Sequence, residues 1–517
     1  MSSLDETFQR LKNAVLDKKP VLKEILVKRG GKNLYEYAKD YIDVNLVPPV
    51  HEREDELLST FEREVGKRLG TQVAKEATDQ LRKYYYVSTA DHHGPLCHPF
   101  FLNSNLIASA PLFEKQDPIL KNVIVLACAN ISFDNSSFPR GLFFHSYANG
   151  QVERHELPFF PRSVRPRPVY KYGPYGMDGI DKIKKLLIEK AKEGHITQKQ
   201  SENISSLIDE IYAKPDVLNC STFSDQVTKT NFELWQKFFN PGKNCNPQNP
   251  HIDPPNLIYL EQETFVNQLI IDHHLNSDTT INHILFDKAY NPLMEQYFDG
   301  VTGGFSLEKK IGTYLFWGLP GNSKYRLQMM KEGNFLVSSD GAYRVELTPD
   351  CLREKLEKQE LIPSTLLSFI VLAFYYGLKL LGGFSQVNYL TFMKNSYIKM
   401  QTDRGNYRSI EVCAHSQTKE LCGDVTLAFL GVQDGSLTPA TGLDLILYGT
   451  ENTWSQFVDL ARHITLEEAL NPMMPELYRI TYPEGSPERD DSLLQITAQD
   501  IANLTNLDKK IKPCAYF

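Results

Sequence analysis

Two short runs near residue 100 constrain the fold more than any other feature of the chain. Residues 122–129 (NVIVLACA) run apolar without a break after Asn122, the composition of a strand buried on both faces. Residues 84–90 are aromatic and β-branched and read as another strand. Each run enters a polar turn, the first at residues 91–98 and the second at 130–137. An apolar, helix-compatible stretch over 100–112 lies between them. Strand, polar turn, helix, strand, polar turn is the order of a parallel α/β sheet. Ligands in such sheets sit beyond the carboxyl ends of the strands, and both polar turns fall there.

The rest of the composition limits the function classes. A chain of 517 residues has room for about three domains, so each can bury its own core. Its 56 basic and 64 acidic residues leave a net charge of −8, which argues against a generic nucleic-acid face. The eight cysteines are scattered, with no C-x-x-C pair, so neither a disulfide framework nor zinc on paired thiolates is expected. The N-terminus has no secretory signal pattern. Residues 364–384 are apolar and long enough to span a bilayer. Lys379 and the Gly382-Gly383 pair favour a buried helix–strand unit instead. The expectation is a cytoplasmic protein with free thiols, binding a small molecule, with neither membrane nor nucleic acid as partner; a homodimer is compatible with it.

Texture along the chain gives a layout. Residues 1–84 read as a helical N-terminal region, opened by a capping-box pattern at Ser3 and Glu6 and given to packing rather than chemistry. Residues 85–160 hold the first half of the core. Residues 161–255 are a helical and linker insertion. It begins with a Pro-, Arg- and Tyr-rich stretch over 158–176, either an excursion from the core or a mobile loop covering an anionic substrate, and ends in a loop at 240–255. Residues 256–400 hold the second half of the core with a β-rich connecting segment at 312–346. Residues 401–517 read as a mixed α+β region.

Asp91, His92, His93 and His98 form the densest polar cluster, with Cys97 among them. Three imidazoles and a carboxylate could hold zinc or iron in a hydrolase, but adjacent His92 and His93 point opposite ways on extended backbone. No metal ligands are therefore expected among them. Acid/base or substrate-binding work suits imidazoles tuned near neutral pH. A second Asp-His-His, at Asp272, His273 and His274, falls on a predicted helix without companion motifs. Two Gly-Gly-Phe-Ser segments, at Gly303 and Gly382, fit no nucleotide fingerprint, so no motif requires a cofactor. Glycines beside Gln386, Asn388 and Tyr389 would let backbone approach a ligand closely.

In their order, these segments resemble the bacillithiol synthase family over residues 55–395, with gaps. Val87 to Phe101 looks like the family's strand and Gly-Pro turn, with Gly94 and Pro99 on the family glycine and proline. Asp91 and His92 stand at its Gln-Gln positions, and Asn105 stands where a lysine is usual. Residues 123–129 look like its next buried strand, followed here by 130–135 with Asp134 as the only carboxylate. Residues 335–394 look like its strand pair, helix and Gly-containing motif, with Gly383 and Tyr389 matching and Gln386 in place of a glutamate.

The resemblance implies a Rossmann-like parallel-sheet core with inserted connecting segments and a C–N ligase type of condensation or group transfer on a small amine or amino acid. It also admits a nucleotide. The expected catalytic residues are Asp91, His92 and Gln386. The expected substrate-binding residues are Thr89, His93, Gly94, His98 and Asn105, then Asp134 and Asn135 on the floor, then Gly383, Ser385, Asn388 and Tyr389 opposite. The alternatives are a metal-dependent hydrolase using the 91–98 cluster and a non-catalytic small-molecule-binding protein on a degenerate ligase scaffold.

Overall fold

The computed structural model describes residues 3–112, 117–148, 150–239, 254–321, 323–432 and 435–517. Most of the loop expected at 240–255, with Cys245, lies outside them. Strands β1 (Tyr86–Ser88), β2 (Asn122–Ala127), β3 (Asn256–Glu261), β4 (Lys379–Gly382) and β5 (Glu420–Leu421) form one all-parallel sheet in a mixed α/β structure. The spatial order is β3-β2-β1-β4-β5. From β1 the chain therefore builds outward in one direction to β3, then crosses back to β4 on the other side. The register pairs Val123 with Leu257, Ser88 with Val125, and Val87 with Leu380.

Period-two alternation, with both faces covered, explains why β2 is apolar from Val123 onward. Val123, Val125 and Ala127 enter one hydrophobic cluster, and Ile124 and Leu126 enter a second. Leu257 and Tyr259 of β3 repeat the first face, and Ile258 and Leu260 the second. Helices α1 (Pro99–Ser109) and α2 (Phe223–Phe239) cover the first face through Leu102, Leu106 and Leu234. The helix Glu54–Leu69 and helices α3 (Gln262–Leu269) and α4 (Phe384–Asp403) cover the second through Phe61, Val266 and Met393.

Several expectations change. The helix Thr71–Tyr84 runs into the segment expected as strand; Tyr85 ends it in the left-handed region (φ 52°), so β1 begins only at Tyr86. The apolar stretch 364–384 is not one helix. It forms helical turns over Thr365–Phe369 and Ile370–Tyr375, a bend at Gly377, and then β4. Among the described residues no helix is long and apolar enough to cross a membrane. The sheet also runs past residue 400, since β5 comes from the segment read as a separate C-terminal region.

The 158–176 stretch is tied down. Phe159 stacks on Tyr175 at 4.3 Å, and Val169 N–H donates to the Ile131 carbonyl at 2.9 Å. The β-rich segment is an antiparallel sheet built on Phe316–Gly318, Leu327–Glu332, Phe335–Ser338 and Arg344–Glu346, with Leu361–Pro363 at its edge. Inserted between β3 and β4, it carries Trp317 and Arg326 towards the functional end of the parallel sheet.

Candidate functional site

A cavity of about 520 Å³ opens at the carboxyl ends of β1, β2, β4 and β5. Thr89 and Ala90 follow β1, Cys128 follows β2, Gly383 follows β4, and Gly423 and Asp424 follow β5. The chain changes direction between β1 and β4, the place where open α/β sheets leave a crevice. Thr89, His92, His98, Asn135, Gly383, Ser385, Gln386 and Tyr389 all line it. The three expected walls thus meet in one place. Gly303 and Gly304 line it too, so both Gly-Gly-Phe-Ser segments reach the same space.

The hydrogen bonds of two imidazoles fix their chemistry. Ser137 N–H donates to Asn135 Oδ1 at 3.0 Å, which orients that amide. His92 Nδ1 lies 3.1 Å from the same oxygen and must donate to it, leaving Nε2 as the ring's proton acceptor. His98 caps α1: its Nδ1 accepts from Phe100 N–H at 3.2 Å, so its proton sits on Nε2. Burial lowers the pKa of both rings, that of His98 to about 3 with Arg154 and His92 adding to the effect. Both are neutral near pH 7. The cavity therefore holds one imidazole acceptor and one imidazole donor.

Gln386 and Thr89 tie the opposite wall across the β1–β4 gap. Gln386 Nε2 donates to Thr89 Oγ1, and Thr89 N–H donates to the Leu381 carbonyl at 2.8 Å. A Cβ on Gly383 would stand 2.7 Å from Asp424 Oδ2. Glycine leaves that carboxylate room to accept from Phe384 N–H at 2.8 Å, at the N-terminus of α4. Asp424 is held at φ 64°, and burial pushes its carboxyl up to about 6. Ser385 Oγ accepts from Lys19 Nζ at 3.3 Å, so the N-terminal helices do reach the site.

The expected residues outside the wall hold it up. Asp91 is fully buried; Ser104 Oγ donates to one carboxylate oxygen at 2.6 Å and Asn105 Nδ2 to the other at 2.7 Å. Burial pushes its carboxyl up to about 7. The expected acid/base partner of His92 thus organises the turn from behind, and Asn105 is its support. His93 turns away from His92, with Nε2 2.9 Å from Ser224 Oγ. A Cβ on Gly94 would stand 2.9 Å from Pro139 Cα, so its glycine serves packing. Asn388 Oδ1 accepts from Val21 N–H at 2.9 Å. Asp134 is exposed and accepts from Ser132 Oγ, so it is not a cavity floor.

His92 and His93, the adjacent imidazoles of the 91–98 cluster, thus face different partners. Among the described residues no three His, Cys, Asp or Glu side chains group as metal ligands. The second Asp-His-His is equally dispersed: Arg63 pairs with Asp272 at 2.6 Å, Thr60 with His273 at 3.1 Å, and Tyr376 with His274 at 2.9 Å.

Sequence reasoning missed the residues that give the cavity its charge. Arg326 donates to the carbonyl and side-chain oxygens of Asn130, and its guanidinium lies 4.4 Å from the Trp317 ring centroid. Asp424 and Glu476 supply carboxylates. Cys128 Sγ–H donates to Glu263 Oε1 at 3.2 Å; burial and that carboxylate push the thiol well above its usual range, so it is no thiolate nucleophile. Asp424 follows a two-residue strand too short to read, and Arg326 is far in sequence from every other wall. No family model matches the chain, and no curated protein matches it either.

Proposed function

We propose that the chain is a Rossmann-like enzyme that binds a small amine or amino acid in this cavity and joins it, or transfers a group from it, to a second small molecule. One observation carries the reading. His92, with a free ring acceptor, and His98, with a ring donor, share a cavity with Arg326 and Asp424 at the sheet's change of direction. The strand order β3-β2-β1-β4-β5 supports the Rossmann-like assignment. The free state of all seven described cysteines supports a reducing, cytoplasmic setting.

The residues divide the work. Arg326 offers a fork for a carboxylate and Asp424 a counter-charge for an ammonium, the two ends of an amino acid. His92 Nε2 takes the proton that an ammonium must lose before its nitrogen can attack. His98 Nε2–H hydrogen-bonds the oxygen on which charge develops. Gln386 fixes the β1–β4 gap. The volume accommodates two small metabolites side by side. The resemblance to bacillithiol synthases points to a C–N bond as the one formed; the bond broken is that from the attacked carbon of the second molecule to its leaving group, which departs with the proton His92 took.

The test has two stages. Calorimetry against amino acids, amino sugars and hydroxy acids should find a ligand whose affinity falls about tenfold or more in Arg326→Ala. Mass spectrometry of ligand mixtures should then find a product that His92→Ala makes about a hundredfold more slowly while still binding the ligand. A wild-type protein that binds none of them, or a His92→Ala variant with undiminished turnover, overturns the reading.

A further inference from the structure

A second cavity, about 430 Å³, shares no lining residue with the first. One wall is the Arg-, Pro- and Tyr-rich segment, through Phe160, Arg167, Lys171 and Tyr172; Leu319 stands on the other side. The wall is rigidly held. Phe160 packs edge-on against Phe223 at 5.0 Å, and Tyr172 against Phe133 at 4.8 Å. The Arg165 and Arg167 carbonyls accept from Asp134 and Phe133 N–H, both at 3.0 Å.

Charge is what sets this wall apart. Arg162, Arg165, Arg167 and Lys171 lie within ten residues, in a chain whose net charge is −8. None of the four forms an ion pair with an acidic side chain among the described residues, whereas neighbouring Arg154 and Arg140 both reach Glu156. The carboxylate nearest in effect to Lys171 is Glu360, and it is already bound to Lys355 at 2.8 Å. Arg162 and Arg165 lie close enough to Arg140 to add to the lowering of its pKa, which burial begins. A cluster of like charges costs free energy unless an anion offsets it. Arg167 and Lys171 are half-buried at the cavity, where an anion gains more from them than on open surface.

We infer that this second cavity binds a small phosphorylated ligand, with Arg167 and Lys171 on the phosphate and the rings of Phe160 and Tyr172 against its organic part. A guanidinium fork and an ammonium together suit a dianionic phosphate. The uncompensated charges on Arg162 and Arg165 raise the local anion concentration. The site is independent of the amine or amino-acid cavity, because the two share no side chain.

The full chain is titrated calorimetrically with inorganic phosphate and, separately, with phenyl phosphate. Both should bind saturably in the millimolar range or tighter, and the phenyl group should improve affinity over inorganic phosphate. The double substitution Arg167→Ala with Lys171→Ala should weaken binding about tenfold or more, and Arg167→Lys should lose less. Gln386→Ala should bind both probes unchanged, which separates this site from the first cavity. The Arg167 and Lys171 side chains make no hydrogen bond or ion pair within the described fold, so the double variant should keep the wild-type melting temperature. The inference is overturned if the wild type shows no saturable binding, if the double variant binds as the wild type does, or if Gln386→Ala abolishes binding.

Discussion

Asp91 shows how one buried carboxyl can matter to a site it does not line. Its two oxygens are satisfied by Ser104 and Asn105, yet burial still pushes the carboxyl from 3.8 up to about 7. In the unfolded chain the proton leaves near pH 4; in the folded chain it stays until about pH 7. Between those values the folded state holds the extra proton. The contribution is therefore present below the unfolded pKa and is lost as pH rises to the folded one, at about 1.4 kcal/mol per pH unit. Buried His93 and His98, pushed down to about 3, act in the opposite sense, losing stability as pH falls below their ordinary value. The informative quantity is thus the difference between wild type and Asp91→Asn. A new amide can accept from Asn105 and donate to Ser104, whose hydroxyl keeps the Phe101 carbonyl at 2.9 Å as acceptor. Urea unfolding at several pH values should show the variant gaining on the wild type as pH rises from 4 to 7. A constant difference would mean that Asp91 titrates normally.

At the scale of elements, α4 is the hinge between sheet and site. It starts directly after β4, and Asp424 from beyond β5 closes its open N-terminus through Phe384 N–H. One carboxylate thereby joins two strand ends to one helix. Asp424→Ala removes a cap and should cost about 1 kcal/mol, measured by denaturant midpoint. It should also weaken any ammonium-bearing ligand found for the first cavity, while Asp424→Asn should recover most of the stability and little of the binding. Recovery of both would make Asp424 a structural cap only. The Gly382-Gly383 turn was legible from its place after an apolar run. Its partner was not, because β5 has two residues and no readable alternation. The 158–176 segment marks the limit of composition as a guide: its Pro and Arg content resembles a mobile linker, but Phe159 and Phe160 are buried and half-buried Tyr172 packs an edge on Phe133.

At the scale of the whole molecule, two hydrophobic clusters share one sheet. Neither can lose its strands without exposing the other, so the described core should unfold in one transition. Ile124→Ala empties the second face and Val125→Ala the first. The isoleucine truncation should cost about 2–5 kcal/mol and the valine truncation somewhat less, and each should shift the same melting transition. A variant that splits the calorimetric trace in two would show that the faces unfold separately.

The sequence by itself determined the parallel α/β core and the two polar turns at its strand ends, because burial on both faces demands continuous apolar strands and because strand ends in such sheets are left open. It also pointed to eight residues of the first cavity's wall, among them Thr89, His92, Gln386 and Tyr389. Only the tertiary structure decided that Asp91 stands behind that wall, that His92 and His98 carry opposite ring tautomers, and that Arg326 and Asp424 supply the charge. Those outcomes depend on which backbone group or amide each side chain meets. Such meetings are made by residues dozens to hundreds of positions apart, where no local periodicity records them.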